Sequence, residues 1–287
     1  MSETQSASQG PNSEAVADGA IPPAVKTRTP FKWVEIDGVF YPGFIVAEQL
    51  EKLKSFKPRP HDIFVCTYPK GGSHWIGFIV HLVMNNGVEN REAPFHHICP
   101  WLEAAGLPES GNIHDLEKVE RLPDPRFFYS HAYYGQMPGG PPNTSPAKYI
   151  YVARNPKDTF VSFYHFHVKS QEWMVFGRTW DQFFDEFVKG RVFFGSWWDQ
   201  IPEWWKHGDE KNVLFLKYED LKRDLPKYVQ IIADFLGYDL EQEVIMKIAS
   251  MCTFEEMKNN TAMGANSQSF IRKGVVGDWK GQLSEEE

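Results

Sequence analysis

The chain has 287 residues, 42% of them hydrophobic and 24% charged, enough for one large globular domain with a sizeable core. A formal charge of −8 argues against general nucleic-acid binding, which draws most of its affinity from a basic surface, so any bound anion must be held by a local cluster of cations. No apolar run reaches the roughly 18 residues of a membrane span. Cys66, Cys99 and Cys252 form no CxxC pair, so the expectation is a soluble protein of the reducing cytoplasm.

Residues 1–29 are rich in Ser, Ala, Gly, Pro and acidic groups and carry no secretory signal; they read as a disordered tail ahead of one domain over 30–287. Lys32 to Ile36 and Val39 to Tyr41 flank Asp37-Gly38, a pair that tolerates the positive φ of a tight hairpin turn. Ile63 to Thr67 is a β-rich apolar run ending in Tyr68-Pro69-Lys70-Gly71-Gly72-Ser73, before apolar residues at helical spacing from Trp75 to Met84. Phe127 to Ser130 is a further strand candidate. The same strand–loop–helix unit recurs at Tyr149 to Ala153, followed by Arg154-Asn155-Pro156-Lys157-Asp158 and a helix to about His167. There Asn155 suits the N-cap, Pro156 the first helical position and Asp158 the first turn. Val213 to Lys217 precedes Tyr218-Glu219-Asp220-Leu221 and a helix around Lys227 to Leu236. The alternation predicts an α/β fold: a single domain with a central parallel sheet flanked by helices on both faces and a P-loop-like phosphate-binding strand–loop–helix. Ligands in such sheets sit beyond the carboxyl ends of the strands.

Three clusters carry chemistry. The loop Lys70 to Trp75 gathers backbone N–H groups at a helix N-terminus, and its two glycines let that backbone approach a phosphate closely. Because Lys70 precedes the glycines, the order is not the GxxxxGK[ST] of nucleotide kinases, and no hydroxyl follows a lysine to hold Mg²⁺. Arg154 stands at the second strand–helix junction, with the Ser162 hydroxyl two turns into that helix. Arg272-Lys273-Gly274 sets two cations beside a flexible residue in an otherwise acidic chain. Taken singly, each also reads as a tight turn or a solvated charge. The aromatic clusters Phe163-Tyr164-His165-Phe166, Tyr133-Tyr134 and Phe193-Phe194 are candidates for the walls of an apolar pocket, although most aromatics belong to a core.

Together, Tyr68 to Trp75, Tyr151 to Asp158 and Arg272 to Lys280 resemble the cofactor signatures of the cytosolic sulfotransferase family, in the same order and spacing; the resemblance runs from about Phe31 to Lys280. It implies a sulfuryl transfer from 3′-phosphoadenosine 5′-phosphosulfate to a hydroxyl or amine of a small, aromatic or polycyclic acceptor, without a metal. The phosphosulfate would lie on Lys70, Gly71, Gly72, Ser73, His74 and Trp75, and the 3′-phosphate on Arg154, Ser162, Arg272, Lys273 and Gly274. Adenine would be sandwiched by Trp75 and Phe254, near Tyr218 and Cys252. The resemblance makes His131, at the end of Phe127 to Ser130, the general base, assisted by Lys70, and it places Phe166 near the acceptor.

Departures from the family pattern temper this. His74 replaces a Thr, Gly71 a Ser, and Tyr129 a Lys two residues before His131, which removes one positive charge. Gly281 to Glu287 lacks the usual dimer motif, so the sequence allows a homodimer but offers no sign of the usual contact. The alternative is a donor-nucleotide-binding protein of the same fold with little turnover. His96-His97 and His165-x-His167 lack further ligands at recognisable spacing, so no metal site is expected.

Overall fold

The computed structural model describes residues 33–90, 95–105, 116–169, 177–260 and 271–284; the tail expected over 1–29 and Lys32 lie outside them. Asp37 and Gly38 both take positive φ, 51° and 77°, and so fold β1 (Trp33–Ile36) back on β2 (Val39–Pro42) as an antiparallel hairpin. Helix α1 (Ala47–Lys54) follows, then β3 (Ile63–Thr67), α2 (Ser73–Met84) and the short helices α3 (Phe95–Ile98) and α4 (Leu116–Glu120). The remaining elements are β4 (Phe127–Ser130), β5 (Lys148–Ala153), α5 (Pro156–Lys169), α6 (Trp180–Val188), α7 (Trp197–Lys206), β6 (Val213–Lys217), α8 (Tyr218–Arg223), α9 (Leu225–Leu236), α10 (Gln242–Met251) and α11 (Phe254–Asn259).

Strands β4, β3, β5 and β6 pair in that order, all parallel, which bears out the expected fold. Successive side chains point to opposite faces of a strand. Phe64, Cys66, Tyr149 and Tyr151 therefore pack on one side with Phe160, Phe163, Phe183 and Trp204, while Ile63, Val65, Ile150 and Val152 pack on the other with Ile79, Val83, Ile232 and Ile248. Both faces are dry, which explains why these strands read as unbroken apolar runs.

The caps follow the local sequence. Asn155 Oδ1 accepts from the Lys157 N–H at 3.0 Å to start α5 at Pro156, and Asp224 Oδ1 accepts from the Lys227 N–H at 3.3 Å to start α9. Among the described residues no helix is long and apolar enough to cross a membrane. Because β3 is flanked by β4 and β5, the loops leaving these three strands open at the same end of the sheet.

Candidate active site

The loop after β3 owes its composition to its shape. Lys70 has φ +67°, a left-handed conformation uncommon outside glycine, and the Gly71 N–H closes the turn on the Tyr68 carbonyl at 2.8 Å. A Cβ at Gly71 would lie 2.9 Å from the Tyr68 carbonyl oxygen and 3.2 Å from that of Val152. Backbone atoms cannot step aside, so the Ser that the resemblance leads one to expect does not fit here. Gly72, at φ +106°, turns the chain into α2 against the Tyr218 ring, 3.2 Å from where its Cβ would be, and Ser73 is buried at the start of that helix.

Tyr218, the first residue of α8, organises the far side of the loop. The Arg154 guanidinium lies 4.6 Å over its ring and donates from Nη1 to the Lys70 carbonyl at 3.1 Å. Arg154 is buried, and its Nε has no hydrogen-bond partner among the described residues. Trp75 meets Tyr218 edge-on at 5.1 Å, and its Nε1 donates to the Cys252 carbonyl at 2.8 Å, which ties α2 to the junction before α11. Phe254 there abuts Gly274: with φ +63°, this glycine would bring a Cβ to 2.4 Å from the Phe254 ring.

The segment from 271 to 284 is strapped to α5. Asp158 accepts from the N–H groups of Gly277 at 2.7 Å and Trp279 at 3.1 Å, so its carboxylate does more than cap the helix dipole. Within the strap Asp278 pairs with Arg272 and, at 3.2 Å, with Lys273. Burial pushes the Asp278 carboxyl up, but these two cations hold it below its usual range. Arg272 Nε is buried without a partner among the described residues. A hydrogen bond to a charged acceptor is worth about 1.5–3 kcal/mol. Asp158→Ala is therefore expected to speed amide exchange at Gly277 and Trp279 at least roughly tenfold, with core amides of β3 and β5 unchanged.

Lys70 Nζ lies 4.3 Å over the Phe166 ring. Burial, then the cations Arg154 and Arg272, pull its pKa down to about 7, so three cationic side chains share one field. At the end of β4, His131 Nδ1 donates to the Thr67 carbonyl at 2.7 Å. A carbonyl only accepts, so Nδ1 carries the proton and the neutral ring keeps its lone pair on Nε2. Burial, with the Lys70 charge adding to it and the Thr67 hydrogen bond opposing it, lowers the His131 pKa to about 4. The rings of Trp101, Tyr129 and Phe194 wall the imidazole at 5.7, 5.8 and 5.1 Å, Phe194 being held at φ +62°. His74 sits 5.9 Å from the Tyr129 ring, and burial, Lys70 and His131 push its pKa down to about 3, so it is neutral.

Residues 60–287 match the sulfotransferase domain family. The chain belongs to the sulfotransferase family. It is 35% identical over 279 residues to sulfotransferase 1C2 of Rattus norvegicus, covering 92% of this chain and 91% of the relative. It is 37% identical over 255 residues to amine sulfotransferase of Oryctolagus cuniculus, covering 83% and 80%. Among solved structures it resembles mouse sulfotransferase SULT7A1 complexed with PAP, at a TM-score of 0.74 and 32% identity over 88% of this chain and 90% of that one. Retinol dehydratase in complex with androsterone and PAP superimposes with a TM-score of 0.78 at 25% identity, covering 90% and 86%.

Of the residues the sequence singled out in this sulfotransferase, Lys70, Gly72, Arg154 and Tyr218 are joined by direct contacts, Trp75 touches both Tyr218 and the Cys252 carbonyl, and Phe254 abuts Gly274. Ser162 is half-buried on α5, and its hydroxyl bonds to none of them. Phe163, Tyr164, Tyr134 and Phe193, read as possible pocket aromatics, are core residues. Sequence reasoning missed Glu103, whose Oε1 accepts from the His131 N–H at 2.8 Å, and Gln200, whose Nε2 donates to the His131 carbonyl at 2.5 Å. The signal for Glu103 was a single acid inside the apolar stretch Ile98 to Ala105. Gln200 lies among α7 tryptophans and gave none. Among the described residues no group of three or more His, Cys, Asp or Glu is placed to hold a metal ion.

Proposed function

We propose that this chain transfers a sulfuryl group from 3′-phosphoadenosine 5′-phosphosulfate to a hydroxyl or amine of a small acceptor, with His131 as general base. One observation carries the reading: Lys70, Arg154 and Arg272, from three separate parts of the chain, share one electrostatic site beside a neutral histidine. The donor carries roughly four negative charges, and a phosphomonoester alone brings −1.5 to −2. The buried, unpartnered Nε atoms of Arg154 and Arg272 are what a phosphate site leaves waiting. Two structural relatives hold PAP, which fits the same assignment.

When bound, the donor supplies the sulfuryl group and an anionic leaving oxygen. Lys70, at the turn into α2, neutralises charge on that oxygen, as in phosphoryl transfer, where alignment and charge stabilisation do most of the work. Arg272 and Lys273 exchange Asp278 for the 3′-phosphate. His131 Nε2 accepts the proton of the acceptor hydroxyl. Trp101, Phe194 and Phe166 give the acceptor aromatic walls, which suits a planar or polycyclic molecule. A donor-binding protein without turnover is the second reading, favoured by the neutral Tyr129 and His74 beside the base.

Incubation with radiolabelled donor and a panel of phenols, steroids, alcohols and amines tests the choice. Sulfated product on any acceptor supports the enzyme; donor affinity with no product on the whole panel supports the second reading. The pH dependence of donor binding gives a separate check. Lys70 is charged below about pH 7 and neutral above it, and only the cation attracts the donor. Donor affinity is thus expected to fall from pH 7 to 9, with a slope approaching about tenfold per unit, and the slope should vanish in Lys70→Met. Calorimetric titration measures both; a constant Kd in the native chain contradicts the assignment.

A further inference from the structure

Among the described residues strand β4 is an edge strand, with β3 on one side and only a one-residue parallel bridge, Trp101 to Tyr129, on the other. On that open side the Tyr129 N–H donates to the Pro100 carbonyl at 3.1 Å. N–H groups alternate sides along a strand, so the next donor on the same side belongs to His131. The neighbouring backbone is no longer there to receive it, because it winds into a single 3-10 turn over Leu102–Ala104. Instead the Glu103 carboxyl reaches back. Its Oε1 accepts from the His131 N–H at 2.8 Å and from Ser130 Oγ at 2.6 Å, while Ser130 Oγ accepts from the Ala132 N–H at 3.0 Å. Ser130 and His131 are thereby anchored on one buried oxygen, and Ala132 is tied to it through the Ser130 hydroxyl.

We infer that Glu103 is a positioning residue for His131, substituting a side-chain acceptor for the missing strand so that the imidazole meets the Thr67 carbonyl and presents Nε2. This rests on the reading of His131 as the base. The side chain is 2% exposed, and its other oxygen, Oε2, has no partner among the described residues. Burial raises its pKa, and protonation of Oε2 leaves Oε1 an acceptor, weaker than a carboxylate oxygen but in the same place. The role assigned to Glu103 is to put an acceptor at that place.

That role sets the test. Glu103→Gln keeps a carbonyl oxygen of the same reach and is expected to hold kcat within about threefold of the native enzyme. Glu103→Asp draws the acceptor back by one carbon and Glu103→Ala removes it; kcat should fall about tenfold and about 100-fold, the scale of a 1 Å misplacement, with donor Kd unchanged. In parallel, ring ¹⁵N shifts of His131 should report the Nδ1–H tautomer in the native chain and in Glu103→Gln, and its loss in Glu103→Asp and Glu103→Ala. If Glu103→Ala does not fold, Glu103→Asp decides: native kcat and tautomer in that variant overturn the proposal, as does Glu103→Gln falling as far as Glu103→Asp. The tautomer readout needs no turnover, so it still judges Glu103 if His131→Ala shows that the base lies elsewhere.

Discussion

His131→Ala is expected to lower kcat by about 10²–10⁴-fold, the usual contribution of a general base, while donor affinity stays within about twofold. The separation follows from the geometry. His131 is fixed by the Thr67 carbonyl, the Glu103 carboxyl and Gln200, and none of these bonds involves Arg154, Arg272 or Tyr218. Removing the imidazole thus spares the donor cradle. Its pKa near 4 keeps it unprotonated at neutral pH, and a donor anion bound beside it, as proposed, would shift that value upward, toward the working pH where a base is most effective. Single-turnover kinetics with calorimetric donor binding checks both halves. An unchanged rate would move the base to another residue.

Arg272→Ala is expected to act in the opposite way, weakening the donor about 30- to several-thousand-fold, the range for removing one partner of a buried charge pair at 2–5 kcal/mol, with kcat at saturating donor largely kept. The Arg272 side chain is 15% exposed against 29% for Lys273, its neighbour in the strap, so Lys273→Ala should cost less. A second signature accompanies the loss. Arg272 is one of the cations that depress Lys70, so the inflection in donor affinity should move above pH 7 in the variant. Equal affinities in native and variant chains would remove the strap from the donor site.

Much of this arrangement was legible in the residues. The strands β3 and β5 announce themselves because both faces of the sheet are buried, and Asn155-Pro156 marks the start of α5 because a cap and a fixed φ act locally. Lys70, Arg154 and Arg272 stand out as cations at chain breaks of an acidic protein. What the sequence hid depends on distant contacts. Asp158 reads as a first-turn acid, and only the tertiary path of the chain turns it toward Gly277 and Trp279. Glu103 lies where no repeat or motif points, since its task arises from the absence of a neighbouring strand. Gly71 reads as a lost hydroxyl, yet the carbonyls of Tyr68 and Val152 leave space for nothing larger.

Strand β3 supplies the Thr67 carbonyl that orients the imidazole, and three residues later the same stretch of chain supplies Lys70. The proposed base is thus oriented by the stretch of chain that carries the proposed cation, so a shift of that stretch would move both groups. Strain introduced at that short stretch would disturb proton acceptance and charge neutralisation at once, whereas damage elsewhere would affect one and leave the other standing.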